Sequence, residues 1–130
     1  MSNAPERPRI LLADDEVLVR NLLQEVLEEA GYEVVTAATG AEALARLEEG
    51  DAFTGLVTDI NFGGPPVGWE VATRARELQT SIAVVYMTGD SAHEWSAHGV
   101  PQSTVIGKPF APSQITVALA SMLNTTDGPT

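Results

Sequence analysis

The chain has 130 residues, 44% of them hydrophobic, which suits one domain with a real core and argues against wholesale disorder. Its formal charge of −11 argues against direct binding to nucleic acid or anionic lipid, and the absence of cysteine excludes disulfides and thiolate catalysis. No apolar stretch approaches the roughly 20 residues of a membrane span, and the first nine residues lack the hydrophobic segment of a secretory signal, so we expect a cytoplasmic protein.

The first half of the chain alternates strand-like and helical patterns. In chain order we expect strand, helix, strand, helix and strand at residues 9–13, 17–30, 32–37, 40–50 and 53–58. Gly31 is placed as the C-terminal cap of the first helix, and Thr39 with Glu42 forms a capping box at the start of the second. The first helix carries apolar residues at helical spacing, expected on one inward face: Leu18, Leu22, Leu23, Val26 and Leu27.

The second half continues the alternation after a glycine- and proline-rich loop at residues 61–68. It predicts a helix with four inward residues, Val71, Ala72, Ala75 and Leu78. A very apolar strand at 82–87 follows, then a short helix with a Ser91–Glu94 capping box, and a strand at 103–106. Pro112 opens the last helix, whose predicted inward stripe is Ile115, Ala118, Leu119 and Met122.

Five strands alternating with five helices predict a parallel sheet covered on both faces. Right-handed crossovers then favour a doubly wound α/β sandwich, although periodicity alone does not define the order of the strands. We assign residues 9–123 to the domain, with short frayed tails at 1–8 and 124–130.

Five polar residues stand at or just beyond the ends of strand-like runs, namely Asp14, Asp15, Asp59, Thr88 and Lys108. Because the carboxyl ends of parallel strands share one edge of the sheet, residues far apart in sequence should meet there in one pocket. Lys108 is the only lysine in the chain, which favours a specific task over a general surface role. Three carboxylates, a hydroxyl and an ammonium together suit a divalent cation and a phosphoryl group.

The chemistry of these residue types supports that interpretation. Magnesium prefers one or two carboxylates together with waters and phosphate oxygens. A carboxylate such as Asp59 can attack phosphorus to form an acyl phosphate, while Lys108 binds a phosphoryl oxygen as a compact charge and Thr88 donates to another. Asn61 could lend its backbone carbonyl to the metal, and Gly89 leaves room for a phosphodonor.

Each residue also has an ordinary structural interpretation. Asp14 or Asp15 could cap the first helix, a role compatible with metal binding. Asp59 could start a turn, Thr88 could be a plain β-branched strand residue, and Asn61 could fill the loop. The histidines at 93 and 98 are expected on helix surfaces, and the tryptophans at 69 and 95 in packing or partner contacts.

The chain resembles the receiver domain of two-component response regulators over residues 9–123, through motifs in the expected order: Asp14-Asp15, Asp59, Thr88 and Lys108-Pro109-Phe110. The resemblance implies a flavodoxin-like fold with strand order 2-1-3-4-5. It also implies Mg²⁺- or Mn²⁺-dependent phosphoryl transfer to Asp59 from a sensor histidine kinase or a histidine phosphotransfer protein. By the same resemblance Asp14, Asp15, Asp59 and Asn61 surround the metal, Thr88 and Lys108 bind the phosphoryl group and switch, and the Lys108–Pro109 bond is cis.

The resemblance further implies that Asn61, Gly89 and Asp90 tune the site from its rim, and that a homodimer is possible. Three departures stand beside it. Val105 occupies the position where receivers usually carry a switch aromatic, for which Tyr86 or Trp95 could substitute. The loop after Asp59 lacks the usual proline four residues on and is one residue longer than common, and the fourth helix is expected to be reduced.

Other functions remain open at this stage. The chain could be a stand-alone phosphoacceptor, or the receiver of a hybrid histidine kinase. A degenerate receiver would bind a partner without taking phosphate, an alternative that Val105 keeps open. A Mg²⁺-dependent phosphatase of the haloacid dehalogenase type would place an acid two residues after the nucleophile, where this chain has Asn61. We therefore expect a signalling phosphoacceptor that supports its own phosphorylation and dephosphorylation, and not a general enzyme.

Overall fold

The fold was obtained as a computed structural model, which describes residues 7–50 and 52–127. Within them, five parallel strands form one sheet in the order β2-β1-β3-β4-β5, which confirms the predicted order. The strands are β1 Arg9–Ala13, β2 Glu33–Ala37, β3 Gly55–Asp59, β4 Ala83–Thr88 and β5 Ser103–Gly107. The helices are α1 Val17–Glu29, α2 Gly40–Glu48, α3 Gly68–Leu78, α4 Trp95–His98 and α5 Pro112–Asp127, and a 3₁₀ turn at Ala92–Glu94 precedes α4.

Helices cover both faces of the sheet, as a doubly wound fold requires. On one face, alternate strand residues such as Leu11, Leu56 and Tyr86 pack in a cluster that includes Ala43 of α2 and Val71 of α3. On the other face, the intervening strand residues pack against α1 and α5 through Leu23, Leu27, Ile115 and Leu119. This alternation explains why β3 and β4 are buried along their whole length.

The inward face of α1 differs from the prediction. Leu23 and Leu27 are fully buried, but Leu18 is 83% exposed and Leu22 is 49% exposed. Two adjacent apolar stripes run along this helix, and only the one that includes residues 23 and 27 meets α5 and the sheet. On α3, Leu78 is likewise exposed, whereas the other three predicted core residues are fully buried.

The helix ends also differ in places from the sequence prediction. The Thr39–Glu42 capping pair forms: the Thr39 hydroxyl accepts from the Glu42 amide at 3.0 Å. The proposed Ser91–Glu94 box is wrong, because the Ser91 side chain makes no capping bond and a 3₁₀ turn follows it. Helix α1 starts after Glu16, so neither Asp14 nor Asp15 is its N-cap residue.

The lengths of helices α4 and α5 bear on two of the sequence predictions. Helix α4 has four residues, so the predicted reduction of the fourth helix is confirmed. Helix α5 continues to Asp127, four residues beyond the predicted domain end at Leu123. Among the described residues, no helix combines the length and apolarity that crossing a membrane would demand.

Candidate functional site

The carboxyl edge of the sheet brings together the residues that the sequence places after β1, β3 and β5. Asp14 follows β1 and is fully buried, Asp59 is the last residue of β3 and 6% exposed, and Lys108 follows β5. Oxygens of Asp14, Asp15 and Asp59 all lie within 4.8 Å of one another. We refer to Asp14, Asp15, Glu16, Asp59 and Lys108 as the acidic corner.

Lys108 is surrounded by carboxylates. Its Nζ lies 2.9 Å from Glu16 Oε1, 3.2 Å from Asp59 Oδ2 and 3.5 Å from Asp14 Oδ2. Its backbone amide donates to the Thr88 carbonyl at 2.7 Å, which ties the start of this segment to the end of β4. The Lys108–Pro109 peptide bond is cis, as is Pro65–Pro66.

The remaining oxygens of the two buried aspartates have different partners. Asp59 Oδ1 accepts from the Ile60 amide at 2.8 Å, and Asp14 Oδ1 accepts from the Glu16 amide at 2.8 Å. Asp14 Oδ2 is buried and has no hydrogen-bond partner within residues 7–50 and 52–127. A buried carboxylate oxygen without a hydrogen bond is costly, and the 3.5 Å ion pair of Asp14 Oδ2 with Lys108 Nζ leaves it room for a closer cation.

Burial and crowding alter the proton affinities of these groups. Burial raises the pKa of Asp59 to about 6, and the charges of Asp14 and Asp15 add to the rise, although the ammonium of Lys108 opposes it. Burial also raises the pKa of Asp14. Burial alone would lower the pKa of Lys108, but the hydrogen bond to Glu16 and the charges of Asp59 and Asp14 raise it above its ordinary value. Lys108 therefore stays protonated beside groups that hold their own negative charge with difficulty.

This arrangement fits a hard divalent cation. Three carboxylates within reach of one point, one of them with an unsatisfied oxygen, are the donor set that Mg²⁺ or Mn²⁺ takes in proteins. Asn61, the fourth predicted neighbour of the metal, directs its side-chain amide elsewhere, as described next.

A second group of polar residues, Asn61, Thr88, Asp90 and Ser91, lies beside the acidic corner at the end of β4, and we call it the hydroxyl corner. The buried Thr88 Oγ1 accepts from the backbone amides of Asp90 at 3.2 Å and Ser91 at 2.8 Å. The Asn61 amide donates to Ser91 Oγ at 3.1 Å and to Asp90 Oδ1 at 3.4 Å. Thr88 thus organises the turn that leads into the 3₁₀ segment and α4. Gly89 lies in this turn, between Thr88 and Asp90.

The loop after Asp59 closes tightly against the site. The Gly68 amide donates to the Ile60 carbonyl at 2.7 Å, and a Cβ on Gly68 would collide with the carbonyl oxygen of Asp59. A Cβ on Gly40 would likewise collide with the carbonyl of Pro66. Glycine at these two positions lets the loop pack beside the aspartate, a role that the sequence analysis did not assign.

The aromatic residues near Val105 are held inside the fold. Val105 pairs with Tyr86 in the sheet, and Tyr86 is fully buried, with its hydroxyl accepting from the Val100 amide at 3.1 Å and its ring 4.6 Å from that of Trp69. The Trp95 indole donates to Ser103 Oγ at 2.9 Å. Trp69 and Trp95 therefore make packing contacts, and both histidines lie on the surface, as predicted.

Sequence reasoning missed two members of the site. Glu16 makes the shortest ion pair with Lys108, and Ser91 links Asn61 to the Thr88 turn. Glu16 follows the acidic pair directly, so a third acid in that run was the available signal. For Ser91, the spacing to Glu94 predicts only a helix cap.

The fold and the carboxylate–lysine cluster define a flavodoxin-like domain with the acidic site typical of phosphoaccepting receivers. Comparison with known families agrees: residues 10–120 match the model of the response regulator receiver domain, and the chain belongs to that family. Receivers of this family are the signalling phosphoacceptors of two-component systems.

Individual relatives support the assignment. The chain is 41% identical to a response regulator receiver protein of known structure from Sinorhizobium medicae, with a TM-score of 0.90, covering 93% of this chain and 98% of that one. It is 37% identical over 105 residues to the receiver protein CpdR of Brucella abortus, covering 78% of this chain and 85% of that protein.

Two other relatives set the context. The chain is 32% identical over 123 residues to the aerobic respiration control protein ArcA of Escherichia coli, and these residues are 93% of this chain and 50% of ArcA. It thus spans about half the length of that curated relative. The response regulator TrrA of Thermotoga maritima, solved in complex with Mg²⁺-BeF, superposes with a TM-score of 0.76 at 29% identity, covering 88% of this chain and 98% of that one.

Proposed function

We propose that this protein is a phosphoacceptor receiver, which takes a phosphoryl group on Asp59 from a histidine kinase or a histidine phosphotransfer protein and changes conformation in response. The observation that carries the proposal is the contact of Lys108 with Asp59 at 3.2 Å beside the carboxylates of Asp14 and Asp15. A nucleophile, a counter-charge for the transferred group and a cation-binding cluster are therefore within one corner.

The transfer step follows from these groups. A carboxylate oxygen of Asp59 attacks the phosphorus of a phosphohistidine, an O–P bond forms as the N–P bond breaks, and the imidazole nitrogen leaves with the bonding electrons. Lys108 then pairs with an oxygen of the transferred group, and the Thr88 hydroxyl, whose oxygen accepts two amides, still has its own proton to donate. Positioning and neutralisation of charge account for most of the catalysis in such transfers.

Asp14, Asp15 and Asp59 would hold Mg²⁺ or Mn²⁺, with the buried Asp14 Oδ2 as one ligand. When bound, the cation supplies electrostatic clamping of phosphoryl oxygens and neutralises developing charge. The carbonyl of Asn61 remains a further candidate ligand. The Mg²⁺-BeF complex of TrrA supports the assignment by similarity.

The switch is proposed to begin at Thr88. Because Thr88 Oγ1 holds the amides of Asp90 and Ser91, a movement of this hydroxyl toward a phosphoryl group pulls on the turn that precedes α4. Tyr86 is buried and bonded to the Val100 amide, so we assign it no swinging role. Asn61, Gly89 and Asp90 lie where they can affect the lifetime of the acyl phosphate and the rate of its hydrolysis.

A docking partner has an apolar surface available beside the site. Leu18 and Leu22 lie one turn apart on the exposed face of α1, near the helix end that carries the acidic corner. We propose that the kinase or phosphotransfer protein contacts this face. The charge of −11 argues against direct binding to nucleic acid or lipid. The proposal also includes a cytoplasmic location and the capacity to form a homodimer.

Incubation with Mg²⁺ and acetyl phosphate, followed by intact-mass measurement, tests the function. We expect a gain of one phosphoryl group in the wild type, none in Asp59→Asn, and none in the presence of a chelator. Glu25→Gln removes one negative charge, as Asp59→Asn does, but on the exposed side of α1. It is the matched control and should still gain one phosphoryl group.

The outcomes separate the competing functions. If the wild-type mass is unchanged and the protein also fails to bind beryllofluoride, a degenerate receiver is favoured. Rapid hydrolysis of many unrelated phosphate esters would favour a phosphatase, although Asn61 supplies an amide bonded to Ser91 where that class has an acid.

A further inference from the structure

Glu16 is the closest partner of the only lysine in the chain. Its Oε1 lies 2.9 Å from Lys108 Nζ, nearer than Asp59 at 3.2 Å or Asp14 at 3.5 Å. The lysine side chain is 20% exposed, whereas that of Glu16 is 58% exposed. The ammonium thus bridges two buried carboxylates and one at the surface.

The Glu16 side chain makes no hydrogen bond to the helix that it precedes, so its charge acts on that helix only through the macrodipole. Glu16 is the N-cap residue of α1, but its side chain makes no capping hydrogen bond, and Asp14 Oδ1 accepts its backbone amide instead. Carboxylates with a capping role normally accept from the second or third amide of the helix. Among residues 7–50 and 52–127, the contact with Lys108 is the hydrogen bond that this side chain makes.

We infer that Glu16 is a positioning residue that holds Lys108 in the resting state and competes with the incoming phosphoryl group for it. The inference rests on the proposed phosphoacceptor function. The Lys108 ammonium donates hydrogen bonds to Glu16 and Asp59, and Asp14 Oδ2 lies 3.5 Å away as a longer ion pair. Asp14 and Asp59 are fixed by burial and by backbone amides, so Glu16 is the partner that can rotate into solvent when a phosphoryl oxygen arrives.

This competition sets how readily the site responds to a phosphodonor. With Glu16 in place, an anionic donor must displace one carboxylate from Lys108 before the ammonium can pair with it. The Glu16–Lys108 contact is lost when the donor binds, so it is absent from both the donor complex and the transition state. Removing it therefore changes the half-saturating donor concentration more than the maximal rate. Exposed ion pairs of this kind correspond to an effect of about two- to fivefold.

Phosphorylation kinetics with acetyl phosphate and Mg²⁺ in three variants test the inference. Glu16→Gln should lower the half-saturating concentration of acetyl phosphate about two- to fivefold and leave the maximal rate within twofold of the wild type. Glu16→Asp keeps the charge but withdraws the carboxylate by about 1.5 Å, the length of one carbon–carbon bond, and should behave like Glu16→Gln. Glu25→Gln, about 13 Å further along α1, should match the wild type.

A second measurement needs no phosphorylation. Selective ¹⁵N-lysine labelling gives a single side-chain ammonium signal in this chain, that of Lys108. In the metal-free protein, exchange of its protons with water should accelerate at least twofold in Glu16→Gln and Glu16→Asp and stay unchanged in Glu25→Gln.

The two measurements distinguish failure of the inference from failure of the proposed function. If the wild type takes no phosphate, the proposed function fails, and the Lys108 signal alone decides whether Glu16 holds the ammonium. If Glu16→Asp matches the wild type while Glu16→Gln differs, surface charge is responsible and the inference is overturned. It is also overturned if neither variant changes the Lys108 signal.

Discussion

The acidic corner and the hydroxyl corner lie side by side at the same sheet edge, but they differ in how well their polar groups are satisfied. In the acidic corner, three carboxylates pair with one ammonium and Asp15 adds a fourth negative charge. One buried oxygen of Asp14 has no hydrogen-bond partner in the described chain, and the pKa of Asp59 is raised to about 6. In the hydroxyl corner, Thr88 accepts two amides, and Asn61 donates to Ser91.

The difference indicates how one site can both wait for a ligand and report its arrival. A crowded set of negative charges is a source of free energy that a cation or a phosphoryl–lysine pair can release. A satisfied hydrogen-bond network resists movement until a stronger acceptor competes for its hydroxyl. In the proposed function, binding belongs to the first corner and the conformational response to the second.

The largest expected effect is a gain in stability when the charge of Asp59 is removed. Because burial raises its pKa from 3.8 to about 6, the folded protein binds this proton more tightly than the unfolded chain. The contribution of Asp59 to the free energy of unfolding is therefore highest below about pH 4, falls as the pH rises to about 6, and remains lower above that. A shift of this size corresponds to about 3 kcal/mol, and Asn loses one acceptor, so Asp59→Asn should gain about 2 kcal/mol.

Urea unfolding with chelator at pH 5 and pH 7.5 measures this gain. The difference between Asp59→Asn and the wild type should be larger at pH 7.5 than at pH 5. A variant less stable than the wild type at pH 7.5 would contradict the view that the acidic corner is electrostatically crowded.

Thr88→Val should have the opposite sign. Valine preserves the buried shape but leaves the amides of Asp90 and Ser91 without their acceptor. The loss of stability should be about 1 to 2 kcal/mol. Thr88→Ser keeps the hydroxyl and is the control, and equal stability of the two variants in urea unfolding would show that the bonds to Thr88 contribute little.

Much of this contrast could be predicted from sequence, because strand ends are recognisable and parallel strands bring their carboxyl ends to one edge. Asp14, Asp59 and Lys108 were placed correctly by that rule alone. The strand order was not accessible to periodicity, and it came from the resemblance to receivers.

Sequence prediction failed where two structures fit the same residue spacing equally well. On α1, the stripe that includes residues 18 and 22 and the one that includes 23 and 27 are both apolar, and only packing against α5 decides which is buried. The contact of Glu16 with Lys108 joins residues 92 positions apart through two flexible side chains, which no local pattern encodes. Likewise, Ser91 followed by Glu94 fits a capping box, but the Thr88 hydroxyl holds the Ser91 amide and a 3₁₀ turn forms.

Magnesium should relieve the crowding of the acidic corner without affecting the hydroxyl corner. At a Mg²⁺ concentration ten times its dissociation constant, binding to the folded state adds about 1.4 kcal/mol to the free energy of unfolding. Asp14→Asn should lose most of this gain, because it alters the buried carboxylate with the orphaned oxygen. Equal stabilisation by NaCl at matched ionic strength would attribute the effect to screening and not to a site.

The smallest effect is expected for Asn61, which joins the turn from the neighbouring loop. Its bonds to Ser91 Oγ and Asp90 Oδ1, at 3.1 Å and 3.4 Å, lie near the surface, where water replaces them at little cost. Asn61→Ala should therefore lower stability by about 0.5 kcal/mol. A double-mutant cycle with Ser91→Ala isolates the shared bond, and the coupling should account for most of that loss. A coupling above about 1.5 kcal/mol would place Asn61 inside the rigid part of the hydroxyl corner, because only a well-shielded network reaches that strength.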